Sequence, residues 1–202
     1  MHFLKQNFTQ NIVEQSFLAG EIIFHAGERI HRVFEIKAGQ VKMVRYLTDG
    51  TEPIIHFVNQ GEILAEASLF TQCYHCTAIA TQDTSLNALS ISVVLAELEN
   101  NPRFSLGYIQ LLSKQIQQQR MLTEIRSIRS AEQRLMSYFR LQADDQGLWC
   151  MDSSLKILAS RLGLTHETLY RVLAKLEKQE KITRSKHHIQ IHHKLGSENS
   201  FL

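Results

Sequence analysis

Hydrophobic positions along the chain follow two different periods, and the change between them divides it. From Phe17 to about Ile91 they alternate with polar ones in short runs. Val33-Phe34-Glu35-Ile36-Lys37 and Val41-Lys42-Met43-Val44-Arg45 have the period of two that marks a half-buried strand. Glycine punctuates these runs at Gly27, Ala38-Gly39, Asp49-Gly50 and Gln60-Gly61, after a first strand at Glu21–Phe24. Short strands at such spacings predict an antiparallel barrel or jelly roll. Beyond Ile91 the apolar spacing becomes helical. Ser92–Asn100 predicts a short helix stopped by Asn101-Pro102, and Pro102 suits the first turn of the next helix. Arg103 to about Ile128 predicts one long helix carrying Leu106, Ile109, Leu112, Ile116, Met121, Ile125 and Ile128. Ser127–Ser130 is the expected hinge, because Ser130-Ala-Glu-Gln133 reads as a capping box. The helix it opens, Ala131–Ala143, carries Leu135, Met136, Phe139 and Leu141 on the side expected to buttress the C-terminal helices.

Two closely spaced helices come next. Leu155 to Arg161 places Leu155, Leu158, Ala159 and Leu162 on one face. Thr165, a residue type that caps helix N-termini, opens a second helix with Leu169, Val172, Leu173 and Leu176 inward. Ala159 is small where one helix must cross close over the other, and Gly163 suits a turn that needs positive φ. This is the pattern of a helix-turn-helix, whose second helix enters the major groove. Outward on that helix stand His166, Glu167, Tyr170, Arg171, Ala174, Lys175 and Lys178. Glu167 and Arg171 lie one turn apart, so they are expected to brace each other. Arginine can grip a guanine edge through two hydrogen bonds, and glutamate can accept from a cytosine amino group. A solvated surface ion pair is the competing reading of the same spacing. Ile182-Thr183-Arg184 and Ile189-Gln190-Ile191 then flank a hairpin whose Lys186 is expected to reach phosphate, and Gly196–Leu202 reads as a frayed end.

Charge separates the same parts. Residues 1–100 hold 6 Lys/Arg against 11 Asp/Glu, whereas residues 155–195 hold 9 against 3. The basic surplus sits on the suspected reader, where phosphate contacts need it. No run approaches the roughly 18 apolar residues of a membrane span, so no membrane partner is expected. MHFLKQNFTQNIVEQ lacks the charged-then-apolar run of a secretory leader. Cys73, Cys76 and Cys150 do not make a disulfide framework, which fits a reducing cytoplasm. There is no phosphate loop, nucleophile elbow or paired-carboxylate pattern, so an enzyme is not expected.

The stretch Thr165–Glu177, THETLYRVLAKLE, closely resembles the recognition helix of the Crp/Fnr regulators, the family of the cyclic AMP receptor protein. In that family an E-x-x-x-R helix is followed by a leucine-rich half and a β-hairpin wing. Glu167 and Arg171 match its base-reading pair, and His166 occupies a third reading position. Gly20-Glu21 with Gly27-Glu28, Lys37-Ala38-Gly39, and the run from Gly61 to Phe70 resemble the family's cyclic-nucleotide-binding β-roll, so the likeness covers nearly the whole chain in order. It implies an α+β protein with a β-roll sensor at 1–102, a dimerisation helix and hinge at 103–129, and a winged helix-turn-helix at 130–202. It also implies a homodimer on pseudo-palindromic double-stranded DNA, with RNA polymerase as a further partner. A helix buried within a monomer is the alternative for 103–129.

The resemblance extends to an effector pocket. Relatives that bind cyclic AMP use a glutamate for the ribose and an arginine for the phosphate. Glu66 matches the glutamate, but Ala65 replaces the usual glycine before it, and the arginine position falls on Cys76, followed by Thr77. Cysteine lacks the charge-assisted fork that arginine gives a phosphate, so cyclic AMP is not the expected effector. Gln119 and Arg120 fall where family effectors touch the partner subunit and complete the pocket candidates. Cys73, His75 and Cys76 are of types that suit zinc, haem iron or an oxidisable thiol pair, against the reading of inert cysteines in a turn. No cofactor is assigned, and haem or another small-molecule effector stays open. The family's iron–sulfur chemistry is excluded, because no cysteine cluster precedes the roll. Alternation puts His188 and His192 on one face of the wing and His187 and His193 on the other, as edge polar residues near DNA or a transition-metal site. Thr165, Thr168, Tyr170, Arg161 and Lys175 join Lys186 as expected DNA contacts that tune specificity or grip phosphate. The functional expectation is a homodimeric, sequence-specific transcription regulator with an unknown effector. Its rivals are an effector-independent regulator and a ligand-, haem- or redox-sensing module whose helix-turn-helix makes protein contacts.

Overall fold

The computed structural model describes residues 3–8, 10–47, 50, 52–151, 154–186 and 188–192. In chain order these form α1 (Phe3–Asn7), β1 (Val13–Phe17), β2 (Ile22–Phe24), β3 (Arg32–Ala38), β4 (Gln40–Val44), β5 (Ile54–Asn59), β6 (Ile63–Leu64), a 3-10 turn at Glu66–Ser68, β7 (Thr77–Ala80) and β8 (Thr84–Ser90). Next come α2 (Ile91–Asn100), α3 (Pro102–Ser127), α4 (Ala131–Gln142), β9 (Leu148–Cys150), α5 (Leu155–Arg161), α6 (His166–Lys178), β10 (Ile182–Arg184) and β11 (His188–Ile191). The chain divides into two compact units, Met1–Leu111 and Leu112–Leu202.

The first unit is the expected antiparallel roll. Its two four-stranded sheets run β1-β8-β3-β6 and β2-β7-β4-β5. The side chains that alternate inward, among them Phe34, Ile36, Val41, Met43, Ala78 and Leu86, form one core. Ala38 and Gln40 end and begin consecutive strands, which leaves Gly39 alone to reverse the chain at φ +97°. A Cβ there would lie 2.7 Å from the Asp83 carbonyl oxygen. Two elements escape the period-of-two reading. Strand β1 has only half-buried and exposed positions, so its alternation is faint, and it is held by pairing along its whole length with β8. Helix α1 is only five residues long. Its first amides are met by a carboxylate from the sheet: Leu4 N–H donates to Glu35 Oε1 at 2.8 Å. Glu35 is fully buried, and its polar oxygens are met there by donors, Leu4 N–H and Asn87 Nδ2 among them.

In the second unit Ser130 Oγ accepts from Gln133 N–H at 3.3 Å, as the capping box predicts, and α4 follows. Its buried face is Leu135, Tyr138 and Phe139. Leu141, expected on that face, is instead 39% exposed. Its place is taken by Tyr138, which stands edge-on to Trp149 with ring centroids 5.6 Å apart. Trp149 comes from β9, a strand of three residues too short to show a period. It pairs with β11, so the wing sheet runs β10-β11-β9. The expected turn residue Asp49 and the expected frayed end Gly196–Leu202 lie outside the described residues. No described helix is long and apolar enough to cross a membrane.

Candidate nucleic-acid interface

Helix α6 begins where its sequence says it should. Thr165 has extended φ/ψ and its Oγ1 accepts from Thr168 N–H at 3.2 Å, satisfying one of the otherwise orphaned first-turn donors. The preceding turn is made by Gly163 at φ +61°, with Leu164 N–H donating to the Ala159 carbonyl at 2.9 Å. Leu169, Val172, Leu173 and Leu176 are buried against α4, α5 and the wing strands. Such burial contributes about 1.5–3 kcal/mol per side chain, so the opposite face is fixed in register. That face carries His166, Glu167, Tyr170, Arg171, Lys175 and Lys178, all exposed.

The expected bracing of Glu167 by Arg171 does not occur. Among the described residues neither side chain has an ion-pair or hydrogen-bond partner. At an exposed position, ordering two long side chains costs about as much as the pair gains, so both groups stay in solvent with their polar ends open. Thr168 is half-buried, and its Oγ1 accepts from Thr165 Oγ1 at 2.9 Å, so both hydroxyls serve the helix cap.

Two of the expected phosphate contacts already have protein partners. Arg161 Nη1 donates to Tyr138 Oη at 2.7 Å. Lys175 Nζ lies 2.7 Å from Glu132 Oε2, and Lys181 lies equally close to Oε1 of the same carboxylate. The hydrogen bonds from Lys175 and Lys181 hold the Glu132 carboxyl below its ordinary value. Lys186 is exposed at the tip between β10 and β11. Of the wing histidines, His188 Nδ1 is 2.7 Å from Ser185 Oγ and His192 Nε2 is 2.7 Å from Thr183 Oγ1, while His187 and His193 lie outside the described residues.

Residues distant in sequence complete the site, and no local spacing points to them. Arg134 donates from Nε and Nη2 to the Ile128 carbonyl and from Nη1 to those of Leu162 and Gly163, tying the α3–α4 connection to the turn before α6. Arg126 Nε donates to the Arg161 carbonyl at 2.8 Å, beside the same turn. Arg184 at the end of β10 lies over the Tyr170 ring, 5.9 Å from its centroid.

In the first unit, Ala65 stands at φ +73°, immediately before the Glu66–Ser68 turn. The left-handed backbone gives the physical reason why glycine suits this position. Glu66 is half-buried, and its carbonyl accepts from Tyr108 Oη at 3.5 Å. Cys76 is 1% exposed. Burial pushes its thiol up to about 11, with Arg45 pulling it down and Glu66 adding to the rise. Arg45, exposed just beyond β4, is thus a cation whose field reaches this spot, and no sequence motif marks it. Thr77 is buried, with its Oγ1 accepting from Ala26 N–H at 3.0 Å. Cys73 and His75 are exposed, and His75 Nδ1 sits 2.9 Å from Ser68 Oγ. The tight turn sends one thiol outward and the other into the core. No three His, Cys, Asp or Glu side chains among the described residues come together as a metal site. Gln119 and Arg120 are exposed on α3, in the second unit.

Comparison with known proteins agrees with both halves. The cyclic nucleotide-binding domain family matches residues 14–101, and the Crp-like helix-turn-helix domain family matches residues 133–194. The chain is 28% identical over 192 residues to a global nitrogen regulator of Nostoc sp., covering 89% of this chain and 85% of that one. It is 27% identical over 201 residues to the global nitrogen regulator of Synechocystis sp., covering 94% and 88%. Its fold is similar to that of FixK2 from Bradyrhizobium japonicum, with a TM-score of 0.73 at 19% identity over 90% of this chain and 93% of that one. With its roll, its helix-turn-helix with capped α6 and its wing in this order, the chain belongs to the Crp/Fnr family of DNA-binding transcription regulators.

Proposed function

We propose that this regulator binds DNA as a homodimer, each α6 entering a major groove and reading one half of a pseudo-palindromic site. The observation that carries the reading is the state of Glu167 and Arg171: exposed, without partners among the described residues, and mounted on a helix whose other face is locked into a core. Arg171 forks onto a guanine edge and Glu167 accepts from the paired cytosine. Lys186 meets phosphate from the wing tip, while Arg161 and Lys175 hold the reader through Tyr138 and Glu132 and contribute to DNA binding mainly by positive potential. Two recognition helices reach successive grooves when their half-sites lie about 34 Å apart.

Support for the dimer comes from α3, where Leu106 is 58%, Ile109 61% and Ile116 52% exposed. Apolar residues on one long helix left in water mark a surface that a second copy covers. This helix and its hinge would join the roll of 1–102 to the reader of 130–202. The roll would act as sensor by binding an effector with different affinities in two arrangements of the reader. Cyclic AMP is a poor candidate, because Cys76, at the position where the resemblance puts the family's phosphate-binding arginine, is a buried neutral thiol. Glu66, Ala65, Cys76 and Thr77 are the proposed pocket residues of the roll, and Gln119 and Arg120 stay separate effector-contact candidates on α3.

Equilibrium sedimentation with salt-dependent DNA binding tests this reading. It expects a dimer whose log affinity falls linearly with log salt, through release of counterions by the basic residues. A monomer that binds duplex no better at low salt than at high would contradict it.

A further inference from the structure

We infer that Arg184, a wing residue outside the reading helix, is a positioning residue for base recognition: it holds Tyr170 in one orientation on the reading face. The inference rests on the major-groove reading proposed above and extends it. Arg184 is the last residue of β10 and pairs with Ile189 across the wing, so its backbone is fixed by the sheet. From there its side chain reaches back to α6 at two places. The guanidinium lies 5.9 Å from the Tyr170 ring centroid, and Nε is 3.4 Å from Glu177 Oε1. Tyr170 and Glu177 are seven residues apart, two turns along one face of the helix. One planar cation therefore bridges them and ties the wing to the reader.

Tyr170 is also held by His166, whose ring meets it edge-on with centroids 4.5 Å apart. A tyrosine that remains 44% exposed on a helix surface would ordinarily move among rotamers. Here it has an imidazole and a guanidinium as neighbours. A side chain held in this way discriminates between base edges, because it cannot swing away from one that fits badly. Arg184 itself is poorly placed to act as a phosphate grip: its side chain is 26% exposed and its Nε faces a carboxylate. Lys186 at the wing tip is exposed and better suited to that role.

The test uses the full-length protein and a duplex library randomised across two successive major grooves. Binding is selected for the unmodified protein, Arg184→Ala, Tyr170→Leu and the double variant, and affinity for random duplex is titrated against salt. Tyr170→Leu should abolish the preference at one base pair. Arg184→Ala should weaken the preference at that same pair by about 2- to 5-fold, as expected for loss of an exposed cation–π contact. The double variant should be no worse there than Tyr170→Leu, and the loss of affinity of Arg184→Ala for random duplex should be smaller than its loss of preference at the Tyr170 pair. If Arg184→Ala does not fold, Arg184→Met keeps the aliphatic stem and supplies the same readouts. Uniform weakening on all sequences with a shallower salt slope would make Arg184 a phosphate contact and overturn the inference. An unaltered preference at the Tyr170 pair would overturn it too. An unmodified protein that enriches no sequence would overturn the major-groove reading as well, which separates the two failures.

Discussion

Ala65 carries a left-handed backbone, φ +73°, at the start of the turn that presents Glu66. A Cβ in this conformation costs roughly 1–2 kcal/mol, and glycine returns part of that gain as extra freedom in the unfolded chain. Ala65→Gly should therefore raise the stability of the roll by up to about 1 kcal/mol, measured by urea denaturation; a loss of stability would show that the methyl group is held by packing. Cys76 gives a second prediction at this scale. Its thiol, raised to about 11 by burial, is almost wholly protonated at neutral pH, and it is the thiolate that reacts. Cys73 and Cys150 are exposed. Iodoacetamide under native conditions should label those two well before Cys76, as read by peptide mass spectrometry. Early labelling of Cys76 would mean that the roll opens readily around it. The identities of Glu66 and Cys76 are legible in the chain because a family pattern names their positions. Their environment is not, since Arg45, just beyond β4, lies far before Cys76 in the chain.

At the level of elements, legibility follows length and period. Helix α6 can be read almost to the residue because Leu169, Val172, Leu173 and Leu176 repeat at helical spacing behind a capping threonine. Strand β9 and helix α1 escape such a reading because three and five residues hold too little pattern, and both are stabilised by distant partners, β11 and Glu35. The junction of α4 with α6 is likewise invisible in the sequence, since Glu132 gathers Lys175 of α6 and Lys181 of the connection that leads to β10. That junction makes a pH prediction. A carboxyl held below its ordinary value of 4.5 in the fold stabilises the folded state above that value. Its contribution is lost as pH falls through the lower folded value. Thermal unfolding of the DNA-binding unit should thus show a drop in stability below about pH 4.5, and Glu132→Gln should be less stable at pH 7 with a shallower acid limb. Equal acid limbs in the two proteins would contradict the assignment.

For the whole molecule, the division of charge matches the division of labour. The roll is acidic and the reader basic, so only the reader gains from approaching a duplex. Within the second unit, the end of α3 and the connection after it are tied to the turn before α6. There Arg126 and Arg134 grip the carbonyls of Arg161, Leu162 and Gly163 beside the turn that launches α6. These bonds hold the end of α3 and the start of α4 against the turn that precedes α6, the helix on which Glu167 and Arg171 project. Base recognition by those two side chains is the central claim, and comparing two alanine variants tests it most directly. Binding of Arg171→Ala and Lys186→Ala should be measured on the selected duplex and on random duplex across a salt series. Arg171→Ala should lose about 1–3 kcal/mol of discrimination while random binding changes little, and Lys186→Ala should weaken both duplexes alike and reduce the salt slope by about one. Equal losses on selected and random DNA from Arg171→Ala would contradict the account.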